Sequence, residues 1–202
     1  MRRISSTSNS SGFTLLEILV AGSLAVLGFF FLLNLLSRTA GVMNRVLVVS
    51  QLQQNCEMTV NRLTTQVARC DVGGVSFVQD PALSGLALHP IDDVEGDGHK
   101  HYASTLTLVR WTPATQALVE IHSLPLVPAD QWQPTRLDAD AIGQLSLRPV
   151  SRELSRSVSR MELYSPDQNC PIRLRLDFQS AAPGYGTQLV HVERFLNVRN
   201  VL

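Results

Sequence analysis

Gly12-Phe13-Thr14-Leu15-Leu16-Glu17-Ile18-Leu19-Val20-Ala21 opens an apolar run, FTLLEILVAGSLAVLGFFFLLNLL, that extends from Phe13 to Leu36 and carries a single charge, Glu17. Coiled as a helix at 1.5 Å per residue, the run is about 36 Å long, enough to cross a bilayer hydrocarbon core of about 30 Å. Residues 1–12, MRRISSTSNSSG, precede it: two arginines, a serine-rich polar stretch and a closing glycine. Arg2 and Arg3 are expected on the cytoplasmic side, which places the rest of the chain outside the inner membrane after a single pass. An ordinary secretory signal has a shorter apolar core and a small-residue cleavage site beyond it. Here the polar, glycine-ended segment comes first, so a cut at that border leaves the whole apolar run in the mature protein. A glycine at the border lets the backbone enter a protease extended, with no Cβ in the way.

Gly12 through Ala21 resemble the prepilin peptidase motif of type IV pilins and type II secretion pseudopilins. The resemblance implies a leader over residues 1–12, cleavage between Gly12 and Phe13, and methylation of the new Phe13 amine. It also implies that Glu17, fifth in the mature chain, meets the Phe13 amine of a neighbouring subunit during assembly. Implied partners are a prepilin peptidase, other minor and major pilins and an inner-membrane assembly platform, with a final place in a pilus or pseudopilus. The energetics of Glu17 agree with that role. A carboxylate in an apolar helix costs about 2.5–3.5 kcal/mol at the bilayer centre on insertion scales, and a cationic amine beside it offsets the cost.

Past Ser37 the pattern becomes amphipathic. Val42, Val46, Val49, Gln53, Cys56, Val60, Leu63, Val67 and Cys70 recur at steps of three and four, the spacing of one helix face. No proline interrupts residues 13–80, and Gly73-Gly74 supplies a stop signal. One helix from about Phe13 to Arg69 is therefore expected, with residues 13–36 in membrane or filament core and 37–70 laid on a globular domain.

Residues 71–202 carry strand signals. Ser104–Trp111 and Ala117–His122 flank a short proline-containing connection and form a hairpin pattern. Residues 143–149 (GQLSLRP) and 160–165 (RMELYS) are further strand candidates. Ile172–Gln179 alternates, with Ile172, Leu174, Leu176 and Phe178 on one side and Arg173, Arg175, Asp177 and Gln179 on the other. Leu189–Val198 completes a second hairpin. An apolar sheet face needs cover and the helix stripe over residues 42–67 can supply it, so the expected fold is α+β: a long helix on an antiparallel sheet. The pilin and pseudopilin resemblance implies the same fold. More narrowly, Gly96–Trp111 and Arg194–Asn200 are similar to segments of PilW-like minor pilins, which implies a part in priming pilus assembly. The J-type minor pseudopilin of type II secretion is the alternative, and a pilus-tip adhesin or DNA-uptake receptor is an alternative of another class.

The remaining chemistry is sparse. The 202 residues hold 17 basic and 17 acidic side chains, so no net field attracts nucleic acid. Arg148, Arg152, Arg156 and Arg160 would form a basic stripe on a helix, but no aromatic residues interleave to stack on bases. Asp93, Glu95 and Asp97, followed by Gly98, resemble half an EF-hand loop. The closing acid is missing, since Ser104 takes its place, so a solvated loop stands beside a weak calcium site. His99 and His101 have no recognisable third ligand. Cys56 and Cys70 lie about 21 Å apart along the helix and cannot pair, which leaves Cys170 as the partner for either; Cys70–Cys170 is favoured because Cys70 sits at the helix end. No Walker loop, G-x-S-x-G or placed Cys/His pair occurs, so neither a catalytic site nor a cofactor is expected.

Overall fold

The computed structural model describes residues 14–123, 132–166, 171–182 and 186–198. The chain divides into two compact units, the first ending at Arg45 and the second beginning at Val46. Helix α1 (Leu15–Ala68) is an uninterrupted 54-residue α-helix. Its last turn tightens, with Arg69 N donating to Gln66 O and Cys70 N to Val67 O. Termination thus precedes Gly73-Gly74, the expected stop. Those glycines serve a 3-10 turn, Val72–Gly74, whose Asp71 cap accepts from Gly74 N. Glycine is required at 74 because a Cβ there would come within 2.5 Å of the His89 carbonyl oxygen.

In the second unit the strands are β1 (Val75–Gln79), β2 (Ser84–Leu88), β3 (Ile91–Val94), β4 (Lys100–Tyr102), β5 (Leu106–Thr112) and β6 (Ala117–Ser123), followed after helix α2 (Ala139–Ser146) by β7 (Arg152–Ser155), β8 (Val158–Tyr164), β9 (Ile172–Ala182) and β10 (Gly186–Leu196). They form a five-stranded sheet ordered β1-β2-β5-β6-β7, a three-stranded sheet ordered β10-β9-β8 and the two-stranded β3-β4 pair. All the pairings are antiparallel. The fold is α+β, as expected, and both hairpins fall where the alternation placed them.

The main core lies where α1 meets both larger sheets. Leu52, Cys56, Val60, Leu63 and Val67 from the helix pack with Leu86, Leu88, Val109, Trp111 and Leu118 of one sheet and Met161, Leu163, Leu174, Leu176 and Phe178 of the other. Each fully buried aliphatic side chain contributes about 1.5–3 kcal/mol relative to exposure. The buried helix face differs from the expected stripe: Val42, Val46 and Gln53 are exposed, Val49 is half-buried, and Leu52 takes the inward position. Cover by α1 begins only at about residue 48, where the strands begin to reach it.

Residues 143–149 do not form a strand. Asp138 accepts from Ala141 N and caps α2, while Ile142 and Leu145, one turn apart, pack on Ala87, Leu106, Leu108 and Ile121. Both faces of the five-stranded sheet are therefore covered, one by α1 and the other by α2.

Candidate assembly segment and polar sites

The first unit is a helix with its apolar side chains turned outward. Leu15, Leu16, Phe30 and Phe31 are 83, 72, 68 and 72% exposed. The exposed large apolar side chains stop at Leu36, and after Ser37-Arg38-Thr39-Ala40-Gly41 a second, shorter group begins at Val42 and Met43. Leu15 to Leu36 rises about 32 Å, which matches a bilayer core of about 30 Å. Arg38 lies in the polar break between the two groups.

Gly12 and Phe13 lie outside the described residues. Glu17 does not: its Oε2 accepts from Thr14 N at 2.9 Å and from Thr14 Oγ1 at 3.0 Å, and Thr14 Oγ1 accepts from Glu17 N at 3.3 Å. This is a reciprocal capping box that satisfies backbone donors at the start of α1. Within a single chain, the carboxylate assigned to a neighbouring amine is thus already engaged by its own helix end. The T-x-x-E signal for the cap is present in the sequence, within the stretch that resembles a prepilin peptidase motif.

Asp93, Glu95 and Asp97 fall on the β3-β4 hairpin and its turn. Asp93 Oδ1 accepts from Val94 N, Asp97 Oδ1 from His99 N, and Glu95 N and Gly98 N close the turn through backbone bonds. Gly98 has a positive φ of 88°, which glycine adopts without strain. Among the described residues, no three acidic, histidine or cysteine side chains converge as a metal site, the two histidines of this hairpin included.

The arginine stripe is also taken apart by the fold. Arg152 and Arg160 belong to β7 and β8, Arg156 pairs with Glu153 at 2.6 Å, and Arg160 pairs with Glu162. The helical spacing is a coincidence of two strands and a turn. Cys70 is buried with its sulfur 3.4 Å from Gln66 O, while its expected partner, Cys170, lies outside the described residues. Burial pushes the Cys56 thiol up to about 11, as for a small core residue.

Two polar features had no clear sequence signal. Glu120, fully buried on β6, accepts from Arg62 Nε at 2.9 Å, pairs with Arg62 Nη2 at 2.7 Å, and accepts from Gln66 Nε2 at 2.8 Å, with His122 Nε2 3.1 Å away. It ties α1 to the five-stranded sheet. His89, also fully buried, accepts at Nδ1 from Thr135 N, so its Nε2 donates to Ala103 O at 2.6 Å. Burial lowers its pKa, and it stays neutral in the folded chain.

The outer face of the three-stranded sheet carries a balanced charge lattice. Arg173 donates to both Glu193 oxygens at 2.8 Å, a bidentate pair that holds the Glu193 carboxyl below its ordinary range. A cleft of about 350 Å³ lies there, lined by Gln79, Glu162, Leu163, Tyr164, Arg173 and Arg175. Its arginines already face Glu193, Glu162 and Asp177, so it offers no net charge to an ion. Compared with protein families, characterised proteins and solved structures, the chain matches none.

Proposed function

We propose that this chain is a minor pilin: a filament subunit anchored in the inner membrane, processed between Gly12 and Phe13, and built into a type IV pilus through its N-terminal helix. The supporting observation is the apolar helix surface from Leu15 to Leu36, exposed along its whole length and covered by nothing among the described residues. Helix–helix packing with other subunits covers such a surface, and Ala21, Gly22, Ser23, Ala25 and Gly28 are the small residues that let apolar helices approach closely. Thr14 and Glu17 define a firm helix start just after the Gly12–Phe13 border. On assembly, the Phe13 amine of a neighbour competes with Thr14 for the Glu17 carboxylate, an exchange of one charge-stabilising partner for a cationic one.

A photo-reactive residue at exposed Met43, beside the same residue at buried Leu63, tests the reading in cells that assemble the filament. The expected result is crosslinks to other subunits from position 43 and none from 63. Crosslinks to lipid alone at position 43 would contradict it.

A further inference from the structure

A β-sheet edge presents unpaired N–H and C=O groups, and proteins usually blunt it. Most edges of this molecule are blunted in identifiable ways. β1 is five residues long, β7 is four and joins β6 through a register irregularity, and β3 and β4 are four and three. The outer edge of β8 is capped by side chains: Met161 O accepts from Gln79 Nε2 and Ser84 Oγ, Leu163 N donates to Gln79 Oε1, and Val158 O accepts from Trp111 Nε1.

β10 is different. It pairs with β9 in unbroken register from Gly186↔Ala182 to Leu196↔Ile172, eleven residues with no proline and no bulge. Among the described residues, no strand joins its other edge and no turn or loop backbone group bonds to it. Its inward side chains, opposite Phe178, Leu176 and Leu174, are Val190, Val192 and Arg194. The two valines are half-buried against the main core, and no described strand covers them along this edge. Arg194 is exposed and makes no ion pair among the described residues. An inward cation on a long edge repels an apolar strand and admits one that brings a carboxylate to the same place.

We propose that the outer edge of β10 over Val190–Leu196 receives an extended strand of a different protein chain, with an acidic side chain opposite Arg194 and apolar side chains opposite Val190 and Val192. Main-chain hydrogen bonds supply the affinity of such strand addition and the side chains on one face supply the selectivity. A second copy of this chain is the poorer occupant. Docked with its helix on the same side, it presents Gln188, Val190, Val192 and Arg194 to the inward face, with no acid among them. The inference stands without the filament reading, since it uses only the three-stranded sheet.

The test uses the full chain in detergent micelles and a peptide of alternating threonine and valine, with glutamate at one valine position. Before addition, alternate β10 amides, those not bonded to β9, exchange rapidly with solvent. The peptide is expected to slow that fast half. Arg194→Glu weakens its binding about fivefold, and an arginine-for-glutamate peptide restores it. Slow exchange of all β10 amides before addition, no added protection at saturation, or indifference to the charge swap would each overturn the proposal. Dimerisation through β10 without peptide, seen by sedimentation, would assign the edge to a second copy and overturn it equally.

Discussion

The two halves of α1 are built from similar apolar residues and meet opposite environments. Between Leu15 and Met43 large side chains such as Leu27 and Phe31 are 65 and 72% exposed, whereas Leu63 and Val67 are fully buried. In the second half the helix gains stability by covering sheets of its own chain. In the first it leaves that gain to be made with lipid or another protein. Apolar periodicity alone does not distinguish the two cases; what decides is whether the chain supplies strands to receive the face.

Substitutions can break the comparison in order of size. Glu120→Ala removes the fully buried acceptor of the charge-assisted hydrogen bonds from Arg62 and Gln66, each worth about 1.5–3 kcal/mol, for a total cost of about 3–5 kcal/mol. Glu120→Gln keeps two polar atoms and is expected to fall between the alanine variant and the parent in a denaturant titration of the detergent-solubilised chain. Next comes Leu63→Ala, expected to cost about 2–5 kcal/mol, beside Leu27→Ala, expected to stay within about 0.5 kcal/mol because its side chain is 65% exposed among the described residues. Equal losses at positions 63 and 27 would erase the distinction between the halves.

A smaller effect follows from His89. Its folded pKa lies below the unfolded value near 6.5, so the unfolded chain binds more protons as pH falls below about 7. The stability that this neutral histidine contributes is fully present above the unfolded pKa and is lost on acidification toward the folded one, at up to about 1.4 kcal/mol per pH unit. His89→Gln should flatten that part of the pH dependence relative to the parent. An unchanged profile between pH 7 and 5 would show that His89 is not held neutral.

Legibility in the sequence follows the strength of local pattern. The long helix and the β5-β6 and β9-β10 hairpins are readable because an uninterrupted apolar run and strict alternation each fit few backbone conformations. Helix α2 reads as a strand from GQLSLRP alone, which alternates, while the signals that govern it, the Asp138 cap and the Ile142–Leu145 spacing, lie partly upstream. Val42 and Val46 fit the helical stripe arithmetically, but the sheets do not reach them. Of the candidate sites, the Gly12–Ala21 stretch is a contiguous string, and its reading as a leader belongs to the proposed function. The partners of Glu120 lie more than fifty residues away, and no spacing rule finds them. The acidic hairpin and the arginine ladder show the opposite error, in which regular spacing suggests sites that the backbone path does not assemble.

The filament reading is tested most directly by the N-terminal sequence and mass of the protein recovered from membranes, with and without prepilin peptidase, beside a Gly12→Ala variant. The account predicts a mature chain beginning at N-methylated Phe13, and loss of that product in the variant or without the peptidase. A chain still beginning at Met1 in cells with active peptidase would contradict it.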